Sequence, residues 1–276
     1  MFNLFSGEFY KWKKSKVFKV CLAAAIGMIL FIYLMLMLVA KIQNGEMENG
    51  TGGVVVTESN MEEEEDVFAQ YGILGIVSEI TGGGFELIFI AVFTCIWVVG
   101  EYSNGAIKNM VGKGYSRGKV FLSKYITTAV SVIVMNLILF LTMLLLGVAV
   151  MGTGEVNGGF FRAFFSYVGV QLLLSVAFCG VLVAVCEFAR NIAVGITISM
   201  VLVIFSTLIL SGVDLLFQAL HLDVKASTYW IMNVMSDCPM GAIDLDFMGR
   251  AVSVAVMWTV LSLLAGMIHI QQTDIA

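Results

Sequence analysis

The sequence predicts an all-α membrane protein with six transmembrane helices. Mean hydropathy is +0.96, 59% of the 276 residues are hydrophobic, and there is a single proline. Uncharged runs recur at 20–40, 87–100, 125–154, 163–186, 191–213 and 251–273. A hydrocarbon core of about 30 Å needs roughly 20 helical residues, so five runs are long enough alone. The second run is shorter, and we expect its helix to begin near Thr81 and to carry Glu86 at the outer membrane boundary.

We interpret residues 1–276 as one membrane domain. The predicted spans are 20–40, 81–100, 119–151, 161–186, 191–212 and 250–270. The connecting segments are an interfacial helix (1–19), an acidic outer loop (41–80), a cytoplasmic coupling segment (101–118) and an outer segment (213–249). The first span is too long for the apolar region of a signal peptide and no small-residue cleavage site follows it, so we expect it to remain as an anchor.

The distribution of positive charge predicts the orientation. With the N-terminus in the cytoplasm, eleven of the fifteen Lys and Arg lie on the inner side, and only Lys41, Arg162, Lys225 and Arg250 lie outside. Cytoplasmic loops carry an excess of Lys and Arg, so both termini are expected inside. Sixteen of the twenty acidic residues then lie on the outer side.

The segment 3–19 combines five aromatic residues with five lysines directly before the first span. Such a composition suits an amphipathic helix lying on the inner leaflet. It is equally typical of a positive flank that only sets the orientation of the first span. Neither interpretation implies nucleic-acid binding, because the chain has no further basic face.

Residues 100–124, GEYSNGAIKNMVGKGYSRGKVFLSK, hold five glycines and five of the fifteen Lys and Arg. The segment does not form a phosphate-binding loop, because Val120 follows Gly118-Lys119 where a Walker A motif has Ser or Thr. The only histidines are His221 and His269, so H-E-x-x-H is absent, and G-x-S-x-G is absent as well. The five cysteines have no metal or redox spacing. We therefore expect no enzyme activity and no cofactor or metal in this chain.

The same segment resembles the membrane subunits of ABC-2-type transporters. The resemblance rests on Glu101 at the end of the second span, then Gly105-Ala106-Ile107-Lys108-Asn109, then Ser116-Arg117, and then Ser123-Lys124 opening the third span. The six-span layout agrees, so the resemblance covers essentially the whole chain. It is nearest to the small bacterial permeases of bacitracin and lantibiotic export or immunity. Two departures are Ala106, where many relatives have Thr, and Gly114-Tyr115, where Pro-Val is common.

The resemblance implies a permease subunit in the bacterial cytoplasmic membrane that works with a separate ATPase, which binds ATP and Mg, and with a second permease chain, identical or homologous. Residues 105–114 would form a short basic helix that docks the ATPase, and Glu101 would pair with Lys108 or Arg117. The docking residues expected on this basis are Glu101, Tyr102, Asn104, Gly105, Lys108, Asn109, Tyr115 and Arg117. Without the resemblance, an ordinary positive inner loop accounts for the lysines equally well.

The resemblance also implies that spans two and five of two permease chains line a seam. The candidate pathway residues are Glu86, Thr94, Thr197, Ser199 and Ser206. Beyond the fifth span, residues 215–222 and 229–235 are short amphipathic pieces, with Tyr229 and Trp230 suited to the headgroup level. These pieces are either gate helices or an interfacial cap.

The expected substrate is a hydrophobic or amphipathic compound, for which an antimicrobial peptide is the leading candidate, because predominantly apolar spans offer few partners to a hydrophilic solute. Two interpretations of the acidic run at 62–66 stay open: it recruits a cationic substrate, or it only keeps an outer loop solvated. The run consists of Glu62, Glu63, Glu64, Glu65 and Asp66. An ATP-independent channel or secondary transporter, and a non-transporting sensor or assembly factor, are the alternative functions. A secondary transporter usually has ionisable residues near the membrane midplane, whereas here they lie at the ends of the spans.

Overall fold

The computed structural model describes residues 2–43, 67–152, 158–220, 225–239, 241 and 243–272. This part of the chain is helical and contains no strand. A 3₁₀ helix covers Ala226–Tyr229, and the α-helices are α1 (Phe2–Lys14), α2 (Lys16–Gln43), α3 (Val67–Gly82), α4 (Phe85–Ser103), α5 (Ala106–Gly112), α6 (Arg117–Met151), α7 (Gly158–Ala189), α8 (Ile192–Ala219), α9 (Ile231–Ser236) and α10 (Leu245–Gln272).

Six of these helices are long and apolar enough to cross a membrane, namely α2, α4, α6, α7, α8 and α10. This confirms the predicted all-α membrane protein with six spans. Helix α1 packs against α6, and Gln271 near the end of α10 lies beside Gly118 at the start of α6. Both ends of the described chain therefore lie at the end of the bundle that carries α5, which we call the α5 end. The opposite end, with α3 and α9, is called the α9 end.

The central helix of the bundle is α7, which contacts α4, α6, α8, α9 and α10. Two glycines allow the closest helix approaches around α10. A Cβ added at Gly180 in α7 would lie 2.6 Å from the Oγ atom of Ser262 in α10, and a Cβ added at Gly266 would lie 2.3 Å from the Cζ atom of Phe121 in α6. Both distances are too short for real Cβ atoms. These glycines therefore set how closely α10 packs against the bundle.

The second span begins later than the sequence suggested. Helix α3 ends at Gly82, the chain turns at Gly84 with φ of 68°, and α4 begins at Phe85 rather than near Thr81. Glycine adopts this left-handed backbone conformation readily. Residues 81–84, which had been assigned to the second span, therefore lie at the end of α3 and in the turn. Glu86 lies in the first turn of α4 and is buried.

Part of the predicted outer loop is a packed helix. Ile73, Val77 and Ile80 of α3 are buried, and α3 contacts α4, α6 and α9. Most of α3 had been predicted as part of the acidic outer loop (41–80), whereas Ile73, Val77 and Ile80 pack against protein. The acidic residues 62–66 lie outside the described residues.

The structure differs from the expectation for the outer segment in one respect. Residues 215–219 continue α8 rather than forming a separate piece. The side chain of Trp230 is buried in protein: its indole Nε1 donates a hydrogen bond to the Oγ atom of Ser206 at 2.9 Å, and its ring packs edge-on against Phe178 and Trp258. Tyr229 is exposed. A tryptophan with an internal acceptor no longer needs the membrane interface to satisfy its N–H group.

Candidate coupling site at the α5 end

Helix α5 lies between two glycines in the left-handed region. Gly105 precedes it with φ of 67°, and Gly114 follows it with φ of 87°. Other residues adopt such φ values only at an energetic cost. The side chain of Ile107 is buried and α5 contacts both α4 and α6, whereas Asn109 and Lys113 are exposed. The chain thus presents a short exposed helix that is anchored on one side between two spans.

The carboxylate of Glu101 joins two other helices to the end of α4. Its Oε1 atom accepts a hydrogen bond from Lys11 Nζ of α1 at 3.2 Å, and its Oε2 atom forms an ion pair with Lys124 Nζ of α6 at 3.4 Å. The Glu101 side chain is 13% exposed and that of Lys124 only 2%. Attraction between these charges is therefore only weakly screened by solvent. Glu101 consequently holds α4, α1 and α6 together one turn before α5.

Lys124 has further partners that suit a buried ammonium. It donates a hydrogen bond to the carbonyl oxygen of Val98 at 3.3 Å, and its Nζ atom lies 4.6 Å from the centre of the Tyr102 ring. An aromatic face attracts a cation, and more strongly where water is excluded. These contacts compensate for the hydration that Lys124 loses on burial.

Tyr102 extends the cluster to the end of α7. Its hydroxyl donates a hydrogen bond to the carboxylate of Glu187, which is fully buried. The guanidinium carbon of Arg190 lies 5.6 Å from the centre of the Tyr102 ring, and Arg190 has a left-handed φ of 48°. We call the whole group the charge cluster; its members are Glu8, Lys11, Glu101, Tyr102, Lys124, Glu187 and Arg190.

Helix α1 is attached through Glu8 and Lys11. Lys11 Nζ donates a hydrogen bond to Glu8 Oε1 at 2.9 Å, and the Glu8 side chain is 2% exposed. Burial raises the pKa of Glu8, and the negative charge of Glu101 raises it further, while the ammonium of Lys11 opposes both effects. Aromatic contacts of Trp12 with Phe9 and Phe18 continue the attachment toward α2. Part of α1 therefore packs on protein.

The raised pKa of Glu8 predicts tighter docking of α1 in acid. A carboxyl whose pKa is higher in the folded state stabilises folding fully below its ordinary value of 4.5, and this contribution is lost as the pH rises through the raised pKa. We expect the thermal midpoint of the purified protein to fall, as the pH rises above 4.5, more in wild type than in Glu8→Gln. An equal change in both proteins would contradict this assignment.

The structure brings together only part of the predicted docking set. Glu101 and Tyr102 lie in the charge cluster, and Asn104 and Asn109 are exposed beside it. Tyr115 and Arg117 are half-buried after α5, Gly105 forms the turn before it, and only the backbone of Lys108 is described. The described ionic partners of Glu101 are Lys11 and Lys124, whereas Lys108 or Arg117 had been expected.

Sequence reasoning missed Glu8, Lys11, Lys124 and Glu187 as members of this site. Lys124 lies 23 residues beyond Glu101, and Lys11 lies 90 residues before it. Their charges had been assigned to membrane-flanking segments, for which solvated charge is the ordinary case. One feature of the sequence could have pointed to this site. Glu187 is an acidic residue at the predicted inner end of a span, where Lys and Arg are the usual charged residues.

Four of the five predicted pathway residues have side chains that are buried within the helix bundle of this chain. Glu86, Thr94, Ser199 and Ser206 are buried, and Ser199 Oγ lies 3.2 Å from the sulfur of Cys95. Thr197 is exposed on α8, and its hydroxyl donates to the carbonyl of Ala193. Helices α4 and α8 pack on each other within one chain. Within the described residues, no group of three or more His, Cys, Asp or Glu is arranged to hold a metal ion.

The sequence profile of the ABC-2 family transporter proteins matches residues 4–206. This range runs from α1 into α8 and contains every member of the charge cluster. The chain belongs to the ABC-2 transporter family. A search of curated proteins found no match. Membership identifies this multi-pass membrane protein as a transporter component and implies an ABC system that has an ATPase component.

Proposed function

We propose that the chain is the permease subunit of an ATP-driven exporter and that α5 docks a separate ATPase subunit. The observation that carries this proposal is the connection of α5 to the bundle. An exposed helix between two glycine turns is followed directly by α6 and preceded by α4, and the buried Glu101–Lys124 pair joins these two spans. A displacement of α5 by the ATPase would therefore move α4 and α6 together.

The proposal includes orientation and assembly. The Lys and Arg concentrated at the α5 end support a cytoplasmic location for that end, where ATP is available. Several faces remain available for a second permease chain, because α8 and α10 expose long rows of apolar side chains. The exported compound is hydrophobic or amphipathic, and an antimicrobial peptide suits the apolar spans best.

Charge reversal on α5 tests the docking. We expect Lys108→Glu with Lys113→Glu to release the ATPase subunit in a pull-down from membranes, because the segment proposed to bind it exchanges two positive charges for two negative ones. The matched control is Lys13→Glu with Lys14→Glu, two exposed lysines of α1 at the same end of the bundle. Co-purification unchanged by the α5 reversal, with normal expression, would contradict docking through α5.

Transport itself needs a separate assay. A sensitive host expressing the permease with its ATPase should tolerate higher concentrations of cationic peptides or lipophilic drugs than a host with either subunit alone. Protection by the permease without the ATPase would instead favour an ATP-independent transporter. Replacing the acids at 62–66 with Gln tests whether they recruit the substrate, since a solvated loop would tolerate this change.

A further inference from the structure

A large apolar cavity lies between α8 and α10 toward the α9 end. Its volume is about 390 Å³, within the usual range for small-molecule sites. The 3₁₀ helix and Trp230 close one side, and α8 and α10 form the walls. The lining residues are Val201, Leu202, Ser206, Ile209, Leu210, Ala226, Tyr229, Trp230, Met257 and Trp258.

Three polar side-chain groups of the lining, those of Ser206, Trp230 and Trp258, are already engaged in hydrogen bonds. The Oγ atom of Ser206 accepts a hydrogen bond from Trp230 Nε1, and its hydroxyl is 3.4 Å from the sulfur of Met232. The indole Nε1 of Trp258 donates to the carbonyl oxygen of Tyr229 at 2.8 Å. A buried water needs two to four polar partners, and apolar cavities instead stay dry or bind apolar molecules. The chemistry of this cavity therefore selects hydrocarbon over water.

The cavity opens onto an exposed apolar surface of α8 and α10. Ile209 is 57% exposed and Met257 is 38% exposed, and both also line the cavity. Neighbouring side chains on the same helices, including Leu208 and Val260, are exposed and apolar. Such surfaces on a membrane-spanning helix contact hydrocarbon chains wherever no second permease chain covers them. A chain in the adjacent leaflet can thus enter from the side without crossing a polar layer.

We propose that this cavity binds one acyl chain of a membrane phospholipid. The phospholipid is the favoured occupant because its chains are the most abundant apolar molecules at the cavity mouth. Moving methylene groups out of water favours their binding to an apolar site, but acyl chains already in the bilayer gain little from this effect. Affinity must therefore come from packing against the aromatic walls, for which Trp230 and Trp258 are held in fixed positions by their hydrogen bonds.

The occupied cavity would stabilise the α9 end. The lining joins α8, α10 and the 3₁₀ helix, and an empty volume of this size leaves their side chains without packing partners. A bound chain restores these contacts, so it should raise the unfolding temperature of the permease by binding the folded state. This inference does not depend on the ATPase, because binding concerns the permease alone.

Photolabelling distinguishes the cavity from ordinary lipid contact. The permease is placed in nanodiscs containing a phosphatidylcholine with a diazirine in one acyl chain, and the labelled residues are mapped by mass spectrometry. We expect labelling at Met257 and Tyr229 to fall several-fold in Ala226→Phe, which fills the cavity, while labelling at Leu208 is unchanged. The matched control Ile204→Phe adds a ring to the exposed face of α8 outside the lining.

Two further measurements keep the proposal falsifiable. Added phosphatidylcholine should raise the thermal midpoint of wild type and of Ile204→Phe more than that of Ala226→Phe, and Leu210→Trp provides a second filling variant if Ala226→Phe folds poorly. A competition experiment adds an excess of an unlabelled single-chain alcohol to the nanodiscs. If the alcohol removes the label at Met257 but leaves the label at Leu208, the preferred occupant is a free amphiphile, and the assignment is overturned. Equal Met257 labelling in both phenylalanine variants would overturn it as well.

Discussion

We expect Glu101→Gln in the permease to lower the ATPase rate of the assembled complex of permease and ATPase subunit to a small fraction of the wild-type rate. The same substitution should destabilise the permease. Gln cannot neutralise the buried ammonium of Lys124, whose side chain is 2% exposed. Removing one partner of a buried pair typically costs about 3–5 kcal/mol, because the other charge remains uncompensated. Helix α5 begins five residues after Glu101, so the loss falls directly on the segment proposed to contact the ATPase.

The double variant Glu101→Gln with Lys124→Met separates stability from coupling. Replacing a buried pair by neutral groups of similar size is often close to neutral for stability, so the thermal midpoint should recover. The ATPase rate should stay low, because the link between α4 and α6 is still absent. Lys11→Met serves as the comparison, because the half-exposed Lys11 should contribute no more than about 1 kcal/mol.

Two results would contradict this assignment. A complex with Glu101→Gln that hydrolyses ATP and confers protection as wild type does would show that the pair plays no part in coupling. Full recovery of ATPase rate along with stability in the double variant would reduce the pair to a structural role. Expression level and gel-filtration profile of each variant in detergent should be measured alongside.

We expect Gly180→Leu to prevent stable folding of the bundle. A Cβ at Gly180 would already lie 2.6 Å from Ser262 Oγ and 3.2 Å from a ring carbon of Tyr125, before the rest of the leucine is added. Overpacking by a few methylenes typically costs about 1–3 kcal/mol, and more where helices must separate. Helices α7 and α10 would be forced apart along their shared interface.

The control is Gly169→Leu in the same helix. Gly169 is exposed and an added Cβ would meet nothing within 4 Å. Leucine also has the higher helix propensity, so this variant should be as stable as wild type or slightly more so. Monodispersity and thermal midpoint in detergent are the measurements. Equal behaviour of the two leucine variants would show that α10 does not rest on α7 as closely as described.

Sequence alone was enough for the number of spans, although it began the second span near Thr81 rather than at Phe85. Hydrocarbon thickness imposes a length on any spanning helix, so uncharged runs of about 20 residues are readable without tertiary information. The short helix α5 was also predicted, since Gly105 and Gly114 mark its two ends and only glycine takes these backbone conformations freely. The family resemblance drawn from Glu101, Gly105 and Ser123-Lys124 was confirmed by the match over residues 4–206.

Only the tertiary structure decided which groups are neighbours. The pairing of Glu101 with Lys124 and Lys11 depends on how the ends of three helices meet, and apolar periodicity carries no such information. The same reason explains α3: its apolar residues could face lipid or protein, and packing against α6 and α9 decides for protein. Trp230 and the cavity beside it are likewise products of packing. In a membrane, hydropathy determines which segments cross, because the bilayer acts on each segment separately, whereas the contacts between segments depend on shape and buried charge at positions distant in sequence.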